Sequence, residues 1–515
     1  MKPTKAKTKT MKLNVVIKYL ILAFMLLFSV LLYLSTDWLL STFGLLSPEE
    51  LIFHIKVPLQ GTNMDLVYSY LQRCLVISIL VVVLCFTILW WIKRLKRLPK
   101  VSAFIQKHRT FQIFKYYERF LFLVSFICLV LSVTYTYNKL NVSEYISYLT
   151  TDSTYIADNY VNPETAALTF PEEKRNLIYI FLESMETTYY STDLGGVQTE
   201  NLMPELSELA LANINFSNSD KLGGAYQVPG TGWTIGGMVA QTTGLPLKIP
   251  IESNSYGEYS SFLPGACTLG DILENEDYNQ TLLVGSEVEF GGRKLYFEQH
   301  GNYTIKDYYT AIEDCIIAKD YRAWWGFEDE ILFRYAKEEI LKLADDDKPF
   351  NFTMLTADTH FPSGYPCGQC EGLHEYQYAN VIACSSKQLS EFIVWIQAQD
   401  FYENTTVILA GDHLTMDTEY FDATNLSDSY DRTTLNIFLN SAVTTDSTKN
   451  RQFSTLDMFP TTLASMGVMI EGDRLGLGTN LFSNVPTIIE TEGFEKVEEE
   501  FSNNSAFYDQ HIVYP

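Results

Sequence analysis

TTVILAGDH, residues 405–413, is a short apolar run that stops on two polar side chains, Asp412 and His413. Two other stretches read the same way: LIYIFLE (177–183) stops on Glu183, and FNFTMLTA (350–357) is followed by Asp358 and His360. Apolar runs of this length suit strands covered on both faces, as in a parallel sheet flanked by helices. Helical patterns lie among them, notably MPELSELALAN (203–213), DEILFRYAKEEILKLADD (329–346) and SSKQLSEFIVWIQAQ (385–399). This alternation predicts a doubly wound α/β domain with a mostly parallel central sheet. In such sheets the carboxyl ends of the strands converge on the ligand crevice. Glu183, His360, Asp412 and His413 are therefore expected around one point, where oxygen and imidazole donors together suit a divalent cation.

A fourth segment joins them. PGTGWTIGGMVAQTTGLP (229–246) places Gly230 and Gly232 ahead of Thr234 and continues as a short, closely packed helix. A hydroxyl beside the free N–H groups of a helix N-terminus is placed to meet a phosphate. A bound cation would lower its pKa toward a nucleophilic alkoxide. Standing alone, the segment would read as a glycine-rich turn with a capping threonine.

Outward from this region the composition changes. A chain of 515 residues is too long for one ordinary domain. It is 47% hydrophobic yet carries a formal charge of −25, so its apolar residues must be concentrated somewhere. They lie near the N-terminus, in runs at about 19–41, 74–92 and 120–137, each near the ~20 residues that cross a bilayer. The first is longer than a signal-peptide core and lacks a small-residue cleavage site, so it reads as a retained anchor. Six lysines precede residue 19 and nine Lys or Arg fall in 93–119, against only Lys56 and Arg73 in 42–73. By the positive-inside rule both basic segments are cytoplasmic. Three spans then put everything after about residue 138 outside the cell.

The organisation expected is a membrane anchor (1–138), a polar linker with some helix (139–172), the α/β domain (173–485) and an acidic tail without pattern (486–515). Beyond residue 119 there are 57 acidic residues against 20 basic ones, which argues against nucleic acid as a partner. Cys267, Cys315, Cys367, Cys370 and Cys384 fall in the outer part, where disulfides persist. A link from Cys367 or Cys370 to Cys384 would brace the segment after His360. The single C-x-x-C pair is weak as a zinc signature on its own.

Taken in order, FLESME (181–186), GTGWTIGGM (230–238) with Thr234, FGGRKLYF (290–297) with Arg293, DTHFP (358–362) with His360, AGDH (410–413) and GLGTNLF (476–482) resemble the lipoteichoic acid synthase and phosphoglycerol transferase family, part of the sulfatase and alkaline phosphatase superfamily. The resemblance covers about 173–483 and implies a sulfatase-like fold. It implies that Glu183, Thr234, Asp412 and His413 bind one divalent metal ion, expected to be Mn2+, and that Thr234 is the nucleophile. Arg293 and His360 would contact the phosphate or the leaving alcohol. The implied donor is a phosphatidylglycerol-like lipid, and the implied acceptor a glycan or polyol-phosphate chain of the cell envelope, closest in pattern to periplasmic glucans. The family's synthases carry a tryptophan two positions before the arginine, where this chain has Gly291, and many have five spans rather than three.

Three alternatives stand beside this reading. A sulfatase would need a C/S-x-P-x-R stretch, and Thr234 is followed by Ile-Gly-Gly. A phosphoethanolamine transferase or a phosphodiesterase would share the anchor and the threonine. A non-catalytic envelope sensor on the same fold would be marked by loss of Thr234 or a metal ligand, and none is missing.

Overall fold

A computed structural model describes residues 5–44, 64–99, 116–248, 261–417 and 430–515, with Glu50, Val101, Tyr420 and Phe421. Residues 45–49, 51–63 and 102–115, which carry part of the charge asymmetry, lie outside the described residues. The chain forms two compact units: Met1–Leu45 with Asn63–Ile146, and Leu46–Thr62 with Ser147–Pro515.

In the first unit, Val16–Phe43, Leu66–Lys96 and Tyr117–Lys139 are long and apolar enough to cross a membrane. They coincide with the three apolar runs, and they make this a membrane protein. Their polar groups meet one another. Glu118 pairs with Lys18 at 2.9 Å and with Lys93 at 3.3 Å, which sets the start of the first and third helices and the end of the second at one level. The Thr36 and Thr136 hydroxyls meet at 2.8 Å.

The second unit is built on a seven-stranded sheet. Its strands are β1 (Asn176–Leu182), β2 (Gly224–Ala225), β3 (Asn279–Val284), β4 (Thr304–Lys306), β5 (Phe350–Leu355), β6 (Thr405–Gly411) and β7 (Thr434–Leu439), in the spatial order β2-β7-β6-β1-β5-β3-β4. The pairs from β6 to β4 are parallel, and β7 and β2 close one edge antiparallel. Central β1 pairs Ile180 with Met354 of β5 and with Leu409 of β6.

Alternation along β1 explains why the whole run is apolar. Leu177, Tyr179 and Phe181 enter one core cluster, whereas Ile178, Ile180 and Leu182 enter the other, because successive strand side chains point to opposite faces. The first cluster receives Met238 and Val239 of α2 (Thr234–Thr243), which follows α1 (Pro204–Ala212) in the chain. The second receives Leu332 and Ala336 of α4 (Asp329–Ala344) and Ile382 and Leu389 of α5 (Gln377–Gln397). The short α3 (Arg293–Gln299) lies between β3 and β4 in sequence.

One segment differs from its sequence reading. Residues 486–515 are folded: Ile488–Glu492 begins at a Thr487 capping box, Phe494–Phe501 follows, and Val497, Phe501, Tyr508 and Ile512 are buried in the first cluster. In FEKVEEEF the apolar positions 494, 497 and 501 fall at helical spacing, which the acidic residues between them obscure. Within 139–172, Tyr155 and Ile156 are buried, and the Tyr155 ring lies 5.7 Å from that of Phe501.

Candidate active site

Strand β1 ends where Ser184 adopts a left-handed backbone (φ 55°), a conformation that non-glycine residues reach at a cost and that clusters at functional sites. The turn carries Glu183 into the crevice. Ser184 N–H donates to Asp412 Oδ1 at 2.8 Å, and its hydroxyl donates to Glu183 Oε1 at 2.8 Å. Past β6, the Asp412 N–H continues the ladder to Leu182 O at 3.1 Å. The ends of β1 and β6 therefore hold their carboxylates against each other. His413 Nε2 lies 3.3 Å from Glu183 Oε1 and 3.6 Å from Asp412 Oδ2. Its Nδ1 is bonded to Leu414 O at 2.8 Å, so Nε2 is the nitrogen presented to the cluster.

Helix α2 brings in Thr234 as its first residue, with Trp233 extended before it. Thr234 Oγ1 donates to Glu183 Oε2 at 3.3 Å. The helix is pinned below this point: Gln241 donates to Gly411 O at 2.9 Å and accepts from Tyr179 at 2.8 Å. It can approach so closely because Gly237 has no Cβ, which would stand 2.1 Å from Asp412 O.

The donor atoms of Glu183, Asp412 and His413 all lie within 4.8 Å of one another, and all three residues are buried. The cluster fits a divalent cation. Two carboxylates and an imidazole form a hard-to-borderline donor set, and Asp412 Oδ2 is buried without a hydrogen-bond partner, the kind of orphan acceptor that a cation satisfies. The electrostatics agree. Burial, then the neighbouring Glu183, pushes Asp412 far above the usual carboxylate range. Burial alone would lower His413, but Asp412 and Glu183 outweigh it and push it up to about 10. Burial likewise opposes ionisation of Glu183, yet the His360 and His413 rings hold it below its ordinary value.

The crevice beside Thr234 is lined by Glu183, Ser286, Phe290, Arg293, Trp325 and His360 among others. Arg293 donates to Ser286 Oγ at 2.9 Å and to Glu287 O at 3.0 Å, and its Nε is buried without a partner. Burial lowers its guanidinium to about 10 against the attraction of Glu183, so it stays a cation at neutral pH. His360 Nδ1 is bonded to Phe361 O at 2.5 Å. Burial depresses this imidazole below its ordinary value, against the pull of Glu183, so it is neutral at neutral pH.

The structure therefore brings together Glu183, Thr234, Asp412 and His413, with Arg293 and His360 lining the same crevice. Asp358 does not join the cluster. Its backbone N–H and that of Ala357 donate to the Asp329 carboxylate at 3.2 and 2.8 Å. Sequence reading missed Phe290, Trp325 and Ser286. The Trp325 ring lies 4.9 Å from His360 and 5.5 Å from Phe290, and its indole Nε1 is buried without a hydrogen-bond partner. Gly291 and Gly292 both have positive φ (71° and 75°), so the aromatic wall comes from Phe290 and Trp325 rather than from position 291. Its signal was the Trp324-Trp325 pair far from any membrane span.

A family model described as Sulfatase matches residues 175–468, and the chain belongs to the sulfatase family. Within it, the chain is similar to phosphoglycerol transferase I of Salmonella choleraesuis (strain SC-B67), 32% identical over 327 residues, 62% of this chain and 40% of that one. It is 31% identical over 381 residues to phosphoglycerol transferase I of Salmonella paratyphi B (strain ATCC BAA-1250 / SPB7), 68% of this chain and 47% of that one. The chain thus spans about half the length of the curated relatives it matches. The crystal structure of the lipoteichoic acid synthase LtaP from Listeria monocytogenes is similar with a TM-score of 0.48 and 16% identity, over 64% of this chain and 82% of that one.

Proposed function

We propose that the protein is a membrane-anchored phosphoglycerol transferase. It moves glycerophosphate from a phosphatidylglycerol-like lipid to a hydroxyl of a cell-envelope glycan or teichoic-acid-like acceptor. The observation that carries this reading is the Thr234 hydroxyl at a helix N-terminus, 3.3 Å from Glu183 in a cluster with Asp412 and His413. The similarity to phosphoglycerol transferases supports the choice of head group.

Glu183, Asp412, His413 and Thr234 would hold one divalent cation, for which Mn2+ is our assignment; it would lower the threonine pKa and offset charge on the phosphoryl oxygens. Thr234 Oγ attacks phosphorus, the phosphorus–oxygen bond to diacylglycerol breaks, and glycerophosphate is left esterified to Thr234. His360, neutral at rest, takes up the hydroxyl proton and returns it to the leaving diacylglycerol oxygen. The acceptor oxygen then attacks phosphorus from the opposite side, and its proton passes to His360 and on to the Thr234 oxygen as the bond between Thr234 and phosphorus breaks. Arg293, a buried cation with an unpartnered Nε, steadies the phosphoryl oxygens as charge builds. Trp325 and Phe290 wall the side where the donor's glycerol would lie.

The same reading sets everything after about residue 138 outside the cell and the ends joined through Glu118 inside. The basic segments flanking the first and second spans support it. We take 139–172 as the connection and 173–485 as the catalytic core.

Full-length protein in liposomes with head-group-labelled phosphatidylglycerol, Mn2+ and a soluble glucan tests the proposal. Label should pass to the glucan with release of one diacylglycerol per transfer. Free glycerol phosphate alone, with abundant glucan, would make the protein a phosphodiesterase. Transfer from phosphatidylethanolamine in preference would make it a phosphoethanolamine transferase.

A further inference from the structure

Away from the crevice, three cysteines meet. Cys367 Sγ lies 3.7 Å from Cys370 Sγ and 3.7 Å from Cys384 Sγ, and the three sulfurs lie within 4.8 Å of one another. All three are free thiols. Cys367 and Cys370 come from the loop after His360, and Cys384 comes from the second turn of α5. Cys367 and Cys384 are buried, whereas Cys370 is partly exposed.

The sulfur separations decide what this cluster is built for. A disulfide places its sulfurs ~2.05 Å apart and would use only two of the three. Thiolates bound to a tetrahedral ion at ~2.3 Å lie ~3.8 Å from one another, which matches the two 3.7 Å separations from Cys367. Loop cysteines spaced C-x-x-C with a third from a helix follow the pattern of zinc sites. The surroundings suit sulfurs carrying negative charge. Gln388, one helical turn beyond Cys384, donates through Nε2 to Cys384 Sγ at 3.3 Å and Cys367 Sγ at 3.5 Å, and Gln369 N–H donates to Cys367 Sγ at 3.4 Å. Donors of this kind hold metal-bound thiolates in place.

We propose that Cys367, Cys370 and Cys384 form a second, structural metal site for a thiophilic cation, Zn2+, separate from the Glu183 cluster. The fourth position is open on the side of the partly exposed Cys370, to water or to the Gln388 amide oxygen after a flip of that side chain. Binding deprotonates the thiols, releases their protons to solvent and clips the loop after His360 to α5. No redox step is involved.

Co2+ added to the full-length protein in detergent, in place of Zn2+, reads the site directly. A thiolate-to-cobalt charge-transfer band should appear at one equivalent, persist in Glu183→Gln, and be displaced by Zn2+. It should be lost in Cys384→Ser and at least ten-fold weakened in affinity in Cys370→Ser, whose partly exposed position spares the fold. Denaturing, non-reducing mass spectrometry should find all three cysteines alkylated once metal is chelated. A disulfide between any two of them, or three free thiols that give no band with Co2+, overturns the proposal.

Discussion

His360 shows how a single residue is tuned by where it sits. Its ring is enclosed by Trp325, at 4.9 Å, and Phe361, at 4.8 Å, and burial holds its pKa below the ordinary 6.5 despite the attraction of Glu183. A histidine with a depressed pKa is neutral at neutral pH and charges only as the pH falls below that ordinary value. The acid limb of the pH–rate profile of the metal-loaded protein should therefore lie below pH 6.5 and disappear in His360→Gln, with turnover reduced ~10²- to 10⁴-fold. An acid limb unchanged by the substitution would take His360 out of proton transfer. The residue was visible in the sequence because it follows a strand-like run. Asp358 was equally visible, yet it is not part of the cluster of Glu183, Asp412 and His413, since nothing in a run of residues fixes which way a loop turns after its strand ends. Trp325 was missed for the converse reason: the Trp324-Trp325 pair signalled it, but it reaches the crevice from a loop with no strand before it.

At the scale of elements, the site depends on how closely α2 lies against the end of β6. A Cβ at Gly237 would stand 2.1 Å from the Asp412 carbonyl oxygen, backbone that cannot swing aside. Gly237→Ala should push the helix outward, costing about 1–3 kcal/mol in urea unfolding, and should weaken Mn2+ binding because Thr234 rides on the same helix. Unchanged Mn2+ affinity would separate the helix from the metal site. The three buried strands and the start of α4 were legible from hydrophobic pattern and polar termini. Less legible were β3 and β7, whose NQTLLV and TLNIFL begin with polar residues, and α5, which starts at Gln377 rather than at 385 because its first two turns bury Tyr378, Val381 and Ile382 behind a polar opening.

For the whole molecule, the C-terminal segment belongs to the core of the second unit. Phe501, Tyr508 and Ile512 are each at most 1% exposed, and the Lys248 ammonium bonds to the backbone oxygens of Phe501 and Asn503. A chain ending at residue 485 should lose several buried aromatic and aliphatic side chains, each contributing roughly 1.5–3 kcal/mol, and should be recovered aggregated or rapidly proteolysed. A truncated chain with unaltered thermal unfolding would show that the segment merely decorates the surface. Orientation is tested on the same scale. Protease added to intact spheroplasts should digest the second unit while sparing the spans, and protection of that unit would reverse the topology. The central claim is that Thr234 is the nucleophile of a group transfer, and it is tested most directly by stopping the reaction without acceptor. Mass spectrometry of protein quenched with labelled phosphatidylglycerol and Mn2+ should find glycerophosphate on Thr234, absent with EDTA and absent in Thr234→Ala, which should also lose at least ~10⁴-fold in turnover. Full transfer activity in Thr234→Ala, or label on another residue, would contradict the account.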